Sequence, residues 1–313
     1  MKWVITGGAG FIGSNIAEEL VKRQQDVVVI DNFSTGKREN IAQFLNKITL
    51  LEGSVTNMKL LQKAFKDADF VLHLAGISSV VSSINDPLHV HDVNFTGSLN
   101  VLVAARDAGV KKVIFSSSAN VYGNDETLPK REEMYPDIVS PYGLGKLTVE
   151  QYCRLFHKYY GLNYAVLRYF NVFGPRQDPH SEYSGVIGIF INRMLKGEPV
   201  TIFGNGLTTR DFVYVKNVVN ANILAATGNA VGTYNVGCGK EITLNELVFT
   251  INKVLNADLK PAYGPERIGD IKYSVASIER AKHELDYDVE VDFEEGMRKT
   301  IAWYSQQTPK IVS

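Results

Sequence analysis

Short apolar runs alternate with segments of helical period through the first half of this chain. Trp3-Val4-Ile5-Thr6, Val27-Val28-Val29-Ile30, Ile48-Thr49-Leu50-Leu51 and Phe70-Val71-Leu72-His73-Leu74 read as strands. Between them, Ser14 to Lys22 lines up Ile16, Leu20 and Val21 on one side of a helix, and Met58 to Phe65 forms another. Asn94 to Ala108 continues the pattern as a long helix, with strands at Lys112 to Phe115 and at Tyr164 to Asn171. Strands that are apolar throughout and separated by helices predict a parallel sheet covered on both faces. Past Phe173-Gly174-Pro175 the loops lengthen and the alternation becomes irregular. Gly185 to Leu195, Val218 to Thr227 and Leu244 to Leu255 read as helices there, and Val200 to Ile202 and Thr209 to Val215 as strands. The pattern predicts one domain over residues 1–174 and a smaller lobe over 175–313, some segments of which return to the first.

The first strand-helix-strand unit carries chemistry. Gly7-Gly8-Ala9-Gly10-Phe11-Ile12-Gly13 lies between strand and helix, and the second strand ends in Asp31. Glycines spaced G-x-x-G-x-x-G at a helix N-terminus let the backbone approach a pyrophosphate. Asp31 is placed to accept hydrogen bonds from an adenosine ribose, which favours NAD over its 2′-phosphorylated relative. The expected fold is therefore α/β, a Rossmann-type doubly wound parallel sheet with a smaller C-terminal lobe that binds substrate. His73, inside a strand, reads as a hydrogen-bonded core histidine and not as a ligand.

A second constellation follows Val113-Ile114-Phe115, where Ser116-Ser117-Ser118 presents hydroxyls at the carboxyl end of the strand. Downstream, Ser140-Pro141-Tyr142-Gly143-Leu144-Gly145-Lys146 begins a helix, with Ser140 as N-cap and Pro141 at the first helical position. Tyr142 and Lys146, four apart, share a helix face. An ammonium beside a phenol favours the phenolate and lowers its pKa, which makes Tyr142 a proton acceptor for a hydroxyl.

Composition narrows the field. With 33 basic and 34 acidic side chains, a formal charge of -1 gives no basis for a nucleic-acid or membrane surface. Cys153 and Cys238 stand in no metal-ligand spacing and read as buried thiols in a reducing compartment, and no metal is expected. The chain opens directly into a strand and has no apolar run of membrane-spanning length, so a cytoplasmic protein is expected.

Together these residues resemble the extended short-chain dehydrogenase/reductase family over almost the whole chain. Thr6 to Gly13 is similar to its cofactor turn, and Asp31-Asn32-Phe33-Ser34-Thr35-Gly36 to its adenosine-binding segment. His73-Leu74-Ala75-Gly76 resembles its strand-end motif near the cofactor, Asn94 its structural asparagine, and Arg168 to Pro175 its hinge into the substrate lobe. The resemblance implies NAD held by Gly7, Gly10, Phe11, Ile12, Gly13, Asp31, Asn32, Ser34, Thr35, Gly36, Ser54, Val55, Leu74, Ala75, Gly76, Asn94, Tyr142, Lys146 and Tyr169. It implies Ser118, Tyr142 and Lys146 as a catalytic triad.

Within the family the later motifs are most similar to the nucleotide-sugar 4-epimerases of the UDP-glucose and UDP-N-acetylglucosamine type. On that resemblance a UDP-sugar meets Ser78, Ser118, Tyr142, Asn171, Gln177, Arg210, Arg267 and Asp270. Ser274 then borders the sugar's C2 substituent, where a small residue admits an acetamido group, and a homodimer is implied. Three positions depart from the pattern: Ser54 stands where an acid is usual, Phe212 where some relatives have tyrosine, and Gly145 where a small hydroxyl residue is usual. Dehydratases and uronic-acid decarboxylases of this fold carry acids where this chain has Ala119 and Asn120, which disfavours them; a uronic-acid 4-epimerase is a further alternative. A silent NAD sensor would need no proton acceptor.

Overall fold

The structure, a computed structural model, describes residues 1–179, 185–266 and 272–307. Arg267 and Asp270 lie outside the described residues. The first half of the chain runs β1 (Lys2–Thr6), α1 (Phe11–Lys22), β2 (Asp26–Asp31), β3 (Thr49–Glu52), α2 (Met58–Phe65), β4 (Phe70–His73), α3 (Val80–Asn85) and α4 (Pro87–His91). A π-helical turn, Asp92–Thr96, leads into α5 (Gly97–Asp107), then β5 (Lys112–Ser118), α6 (Pro141–Tyr160), β6 (Asn163–Tyr169) and β7 (Asn171–Phe173). The remainder runs α7 (Val186–Leu195), β8 (Thr201–Phe203), β9 (Thr209–Arg210), β10 (Phe212–Tyr214), α8 (Val215–Thr227), β11 (Gly232–Val236), β12 (Ile242–Thr243), α9 (Leu244–Leu255), β13 (Ala262–Gly264), α10 (Glu279–Leu285) and α11 (Phe293–Gln307).

Seven parallel strands form the main sheet in the order β11-β6-β5-β4-β1-β2-β3. Alternate residues of each strand feed different cores. Trp3, Ile5, Val27, Val29 and Leu72 pack with Ile16 and Leu20 of α1 and with Val218 and Val219 of α8. Val4, Val28, Val71, Val113 and Phe115 pack on the other face with α2, α5 and α6 through Leu61, Val101 and Val149. Both faces are buried, so the strands are apolar without alternation, and a slip of one residue would exchange the two sets. The strand order reverses between β1 and β4, and the crevice at the carboxyl ends of such a sheet is where ligands bind. A third cluster gathers Phe173, Phe190, Ile191, Phe212, Leu247, Ile251 and Met297 from β7 onward.

Several elements differ from the pattern read in the sequence. The helix predicted from Ser14 begins at Phe11, directly after its N-cap Gly10, and Asn94 lies in the π turn at the head of its predicted helix. The strand predicted over Thr209 to Val215 is broken at Asp211, whose side chain is fully buried. β11 adds to the edge of the main sheet beside β6, and α8 packs against α1.

Candidate active site

The glycine turn is built by close packing. Gly7 has φ +71°, and a Cβ there would lie 2.7 Å from the Ala75 nitrogen, where β4 ends. A Cβ on Gly13 would overlap the Gly7 carbonyl, so only glycines bring β1, β4 and α1 this close. No side chain caps α1 and its first turn carries no acid, which leaves its N–H groups and the positive end of its dipole for an anion. At the end of β2, Asp31 is buried and accepts from Ala9 N and Phe33 N, both at 2.8 Å. These bonds fix the carboxylate while each oxygen retains acceptor capacity for a ribose hydroxyl. Gly36 packs against that carboxylate. Asn32, Ser34 and Thr35 are exposed beside it, Asn32 accepting from the Ser34 hydroxyl at 2.8 Å.

The neighbouring residues are held by local bonds. Ser54 accepts from the Thr56 hydroxyl at 2.9 Å, and Val55 is buried against Gly97. Phe11 and Ile12 are half-buried at the start of α1. Leu74, Ala75 and Gly76 follow β4, and Asn94 clamps the segment by donating to Ile77 O at 2.9 Å and accepting from Ile77 N at 2.7 Å. His73 is a satisfied core residue: Nδ1 pairs with the Thr6 hydroxyl at 2.7 Å and Nε2 with the Ser98 hydroxyl at 2.8 Å. Burial, with the Lys146 charge adding to it, pulls His73 down to about 3, so the ring is neutral. Tyr169 offers no free hydroxyl, since its phenol donates to Asn222 Oδ1 at 3.0 Å in the core.

Three consecutive residues at the end of β5 are each tied to α6. The Ser116 carbonyl accepts from Lys146 Nζ at 2.7 Å, the Ser117 hydroxyl donates to Glu150, and the Ser118 hydroxyl stands beside the Tyr142 phenol and favours its ionised form. Ser140 caps the helix by accepting from Gly143 N at 3.1 Å, and Pro141 occupies its first turn, as the sequence predicts. The Tyr142 N–H is taken by the Ser83 hydroxyl on α3 at 3.1 Å, so α3 also steadies the helix start.

The electrostatics correct one expectation. Burial, and not the lysine's proximity, sets the direction for the phenol: it pushes Tyr142 up to about 12, with Ser118 beside it pulling the other way. The ammonium lies 5.8 Å over the Tyr142 ring and is bonded to a backbone carbonyl, not to the phenol. Burial also pulls Lys146 itself down, to about 8, with Glu150 opposing.

On the other side of the crevice, Asn171 N donates to the Asp211 carbonyl at 3.0 Å and Thr209 N to the Lys272 carbonyl at 2.9 Å. This seam brings together Asn171, Arg210 and the segment carrying Ser274. Asp211 is its staple, accepting from Cys238 N at 2.7 Å, Gly239 N at 2.9 Å and Ala276 N at 3.1 Å. Arg210 donates to the Thr209 carbonyl at 2.8 Å, Ser78 is exposed, and Gln177 Oε1 is buried with no hydrogen-bond partner among the described residues. Asp211 and Ser83 were not singled out in the sequence. An acid between Arg210 and Phe212 in an apolar run was the available signal for the first, and nothing local marks the second.

A glycine cradle with a buried acid at the end of the next strand, facing a serine, tyrosine and lysine at one sheet edge, defines a dinucleotide-dependent enzyme of the short-chain dehydrogenase/reductase class. The description of the NAD dependent epimerase/dehydratase family matches residues 3–237, and the chain belongs to that family. It is 42% identical to a UDP-N-acetylglucosamine 4-epimerase from Methanobrevibacter ruminantium M1 solved with UDP-N-acetylmuramic acid, with TM-score 0.95 over 98% of this chain and 99% of that one. A UDP-glucose 4-epimerase from Thermotoga maritima solved with UDP-glucose is 39% identical, with TM-score 0.93 over 98% and 99% of the two chains. The UDP-glucose 4-epimerase of Mycolicibacterium smegmatis is 36% identical over 98% of this chain and 100% of its own. Among the described residues no helix is long and apolar enough to cross a membrane.

Proposed function

We propose that the protein is an NAD-dependent 4-epimerase of UDP-hexoses that works through a transient 4-keto sugar. The observation that carries the reading is the Ser118, Tyr142 and Lys146 arrangement beside the glycine cradle, with Ala119 and Asn120 where elimination chemistry would need acids. When bound, NAD supplies a hydride acceptor that takes hydride from C4 and returns it to the opposite face. Tyr142 takes the proton of the 4-hydroxyl, Ser118 bridges hydroxyl and phenol, and Lys146 holds the nicotinamide ribose. A phenol pushed up to about 12 needs nearby positive charge to act as base, and Lys146 supplies it. Arg210, Asn171 and Gln177 anchor the diphosphate side while the sugar turns, together with Arg267 and Asp270.

The reading extends to N-acetylated substrates. Ser274 is half-buried, whereas the neighbouring Tyr273 is 47% exposed, which supports Ser274 as the residue facing the sugar's C2 group. α6 exposes Leu144, Leu155 and Tyr159, in keeping with a homodimer; a monomer by sedimentation would remove that part.

Incubation with a panel of UDP-hexoses, with C4 epimers read by NMR, tests the reaction. Ser274→Tyr tests the gate: kcat/KM should fall far more for UDP-N-acetylglucosamine than for UDP-glucose. Equal losses on both would sink the gate, and no epimer from any UDP-hexose would sink the reading.

A further inference from the structure

Beneath the catalytic pair lies a charged network that the proposed reaction does not use. Glu150 follows Lys146 by one turn of α6, and Arg168 lies on β6; both are buried. Arg168 grips Glu150 at two points, Nη2 to Oε2 at 2.7 Å and Nε to Oε1 at 3.1 Å. Its Nη1 donates to the Tyr122 hydroxyl at 2.9 Å, which donates to Asn235 Oδ1 on β11 at 2.7 Å. The Ser117 hydroxyl donates to Glu150 as well. Tyr142, Lys146 and Glu150 thus form one stripe on α6, four residues apart, and each meets one of the three serines that end β5.

Resting on the epimerase reading, we infer that Glu150 is a positioning residue: gripped by Arg168 and Ser117, it fixes the register of α6 on β5 and sets a negative charge one turn below the Lys146 ammonium. The groups facing that ammonium are Tyr142 and Glu150 from α6, His73 from β4, and the Ser116 carbonyl and Phe115 ring from β5. His73 and Tyr142 are neutral as they stand, which leaves Glu150 as the counter-charge. Two buried cations against one carboxylate leave a surplus of one positive charge. A phenolate at Tyr142 would balance it. Without Glu150, burial would act on Lys146 unopposed, and the ammonium would lose its proton more readily.

The test uses the full chain. Glu150→Gln keeps the shape and removes the charge. Because a buried guanidinium left unpaired destabilises strongly, Glu150→Gln/Arg168→Met removes both charges together. Lys146 is titrated by NMR in protein labelled at lysine Cε, the signal assigned with Lys146→Met, and kcat/KM for UDP-glucose is profiled against pH. In the double variant Lys146 should titrate at lower pH than in wild type, and the alkaline limb of kcat/KM should move down with it. Glu150→Asp, which keeps the charge, should titrate closer to wild type. A Lys146 titration within about 0.3 pH unit of wild type in the charge-free variants, or a loss of activity equal at every pH, would overturn the inference. Failure of the epimerase reading looks different: no UDP-hexose is turned over by wild type, while the Lys146 titration still moves with Glu150.

Discussion

Gly145 stands inside α6 between the tyrosine and the lysine, and its replacement by alanine should stabilise the protein and leave activity unchanged. An interior glycine costs a helix about 1 kcal/mol relative to alanine, because it loses more backbone freedom on folding. No packing offsets that cost here. A Cβ at Gly145 would find no heavy atom within 4 Å and would open onto a cleft of about 190 Å³ between α4 and α6, walled by Phe95, Pro141 and Leu144. Gly143 serves as the control. Its Cβ would lie 3.2 Å from the Asn120 carbonyl and 3.4 Å from the Ser140 hydroxyl that caps the helix, on a turn whose other end is Ser118. With a melting entropy of about 2.1 cal/mol/K per residue over 313 residues, a gain of about 1 kcal/mol raises Tm by about 1.5 °C. Gly143→Ala gains the same propensity, loses it to the contact, and should end at or below wild type with reduced kcat. Calorimetry and urea titration of both variants, with kcat/KM alongside, make the comparison. A lowered Tm for Gly145→Ala, or equal shifts in the two variants, would refute the reasoning.

Tyr142→Phe should lose about 10²-fold or more in kcat while UDP affinity by calorimetric titration stays near wild type, since the phenol acts at the sugar hydroxyl and not on the diphosphate. A variant keeping more than about a tenth of the rate would remove Tyr142 as base. Stability should also fall as pH drops below 6.5. His73 is pulled down to about 3 when folded, so between those values the unfolded chain binds a proton that the folded one does not. Urea titrations at several pH values should give a slope approaching about 1.4 kcal/mol per pH unit from this group, and a slope unchanged in His73→Leu would count against it.

The sheet was legible in the sequence because a strand buried on both faces must be apolar throughout, and the cradle because its glycines are local. Met58 to Phe65 is a helix at the predicted bounds. What escaped depends on partners distant in the chain. α3 spans six residues with two serines and exposes Val81 and Ile84, so it shows no apolar stripe, yet its Ser83 meets Tyr142 across 59 positions. β11 alternates Tyr234 and Val236 with Thr233 and Asn235, and only pairing with β6 makes it part of the sheet. Asp211 reads as a polar interruption until Cys238, Gly239 and Ala276 bring their N–H groups to it. The phenol's raised pKa escapes a sequence reading for the same reason. Spacing gives the lysine's proximity, whereas the depth of burial that outweighs it is tertiary.

The location of the site follows from topology before any motif is consulted. In a parallel sheet every strand ends at one edge, and the reversal between β1 and β4 leaves a crevice there. Gly7 follows β1, Asp31 ends β2, Ala75 follows β4, Ser118 ends β5 and Asn171 opens β7 just past β6, so five strands of the sheet each bring one candidate residue to that edge. The helix α6 is the exception, supplying Tyr142 and Lys146 from its first two turns, and its register is therefore the one alignment the sheet does not fix. Register by hydrophobic packing alone tolerates small slides, because apolar contacts are non-directional. The serine ladder from Ser116 to Ser118 is directional, and a slide of α6 by one residue would break the Lys146 and Glu150 bonds at once and move Tyr142 off Ser118. Glu150 and Arg168, buried beneath that ladder, make such a slide costly by stranding a charge.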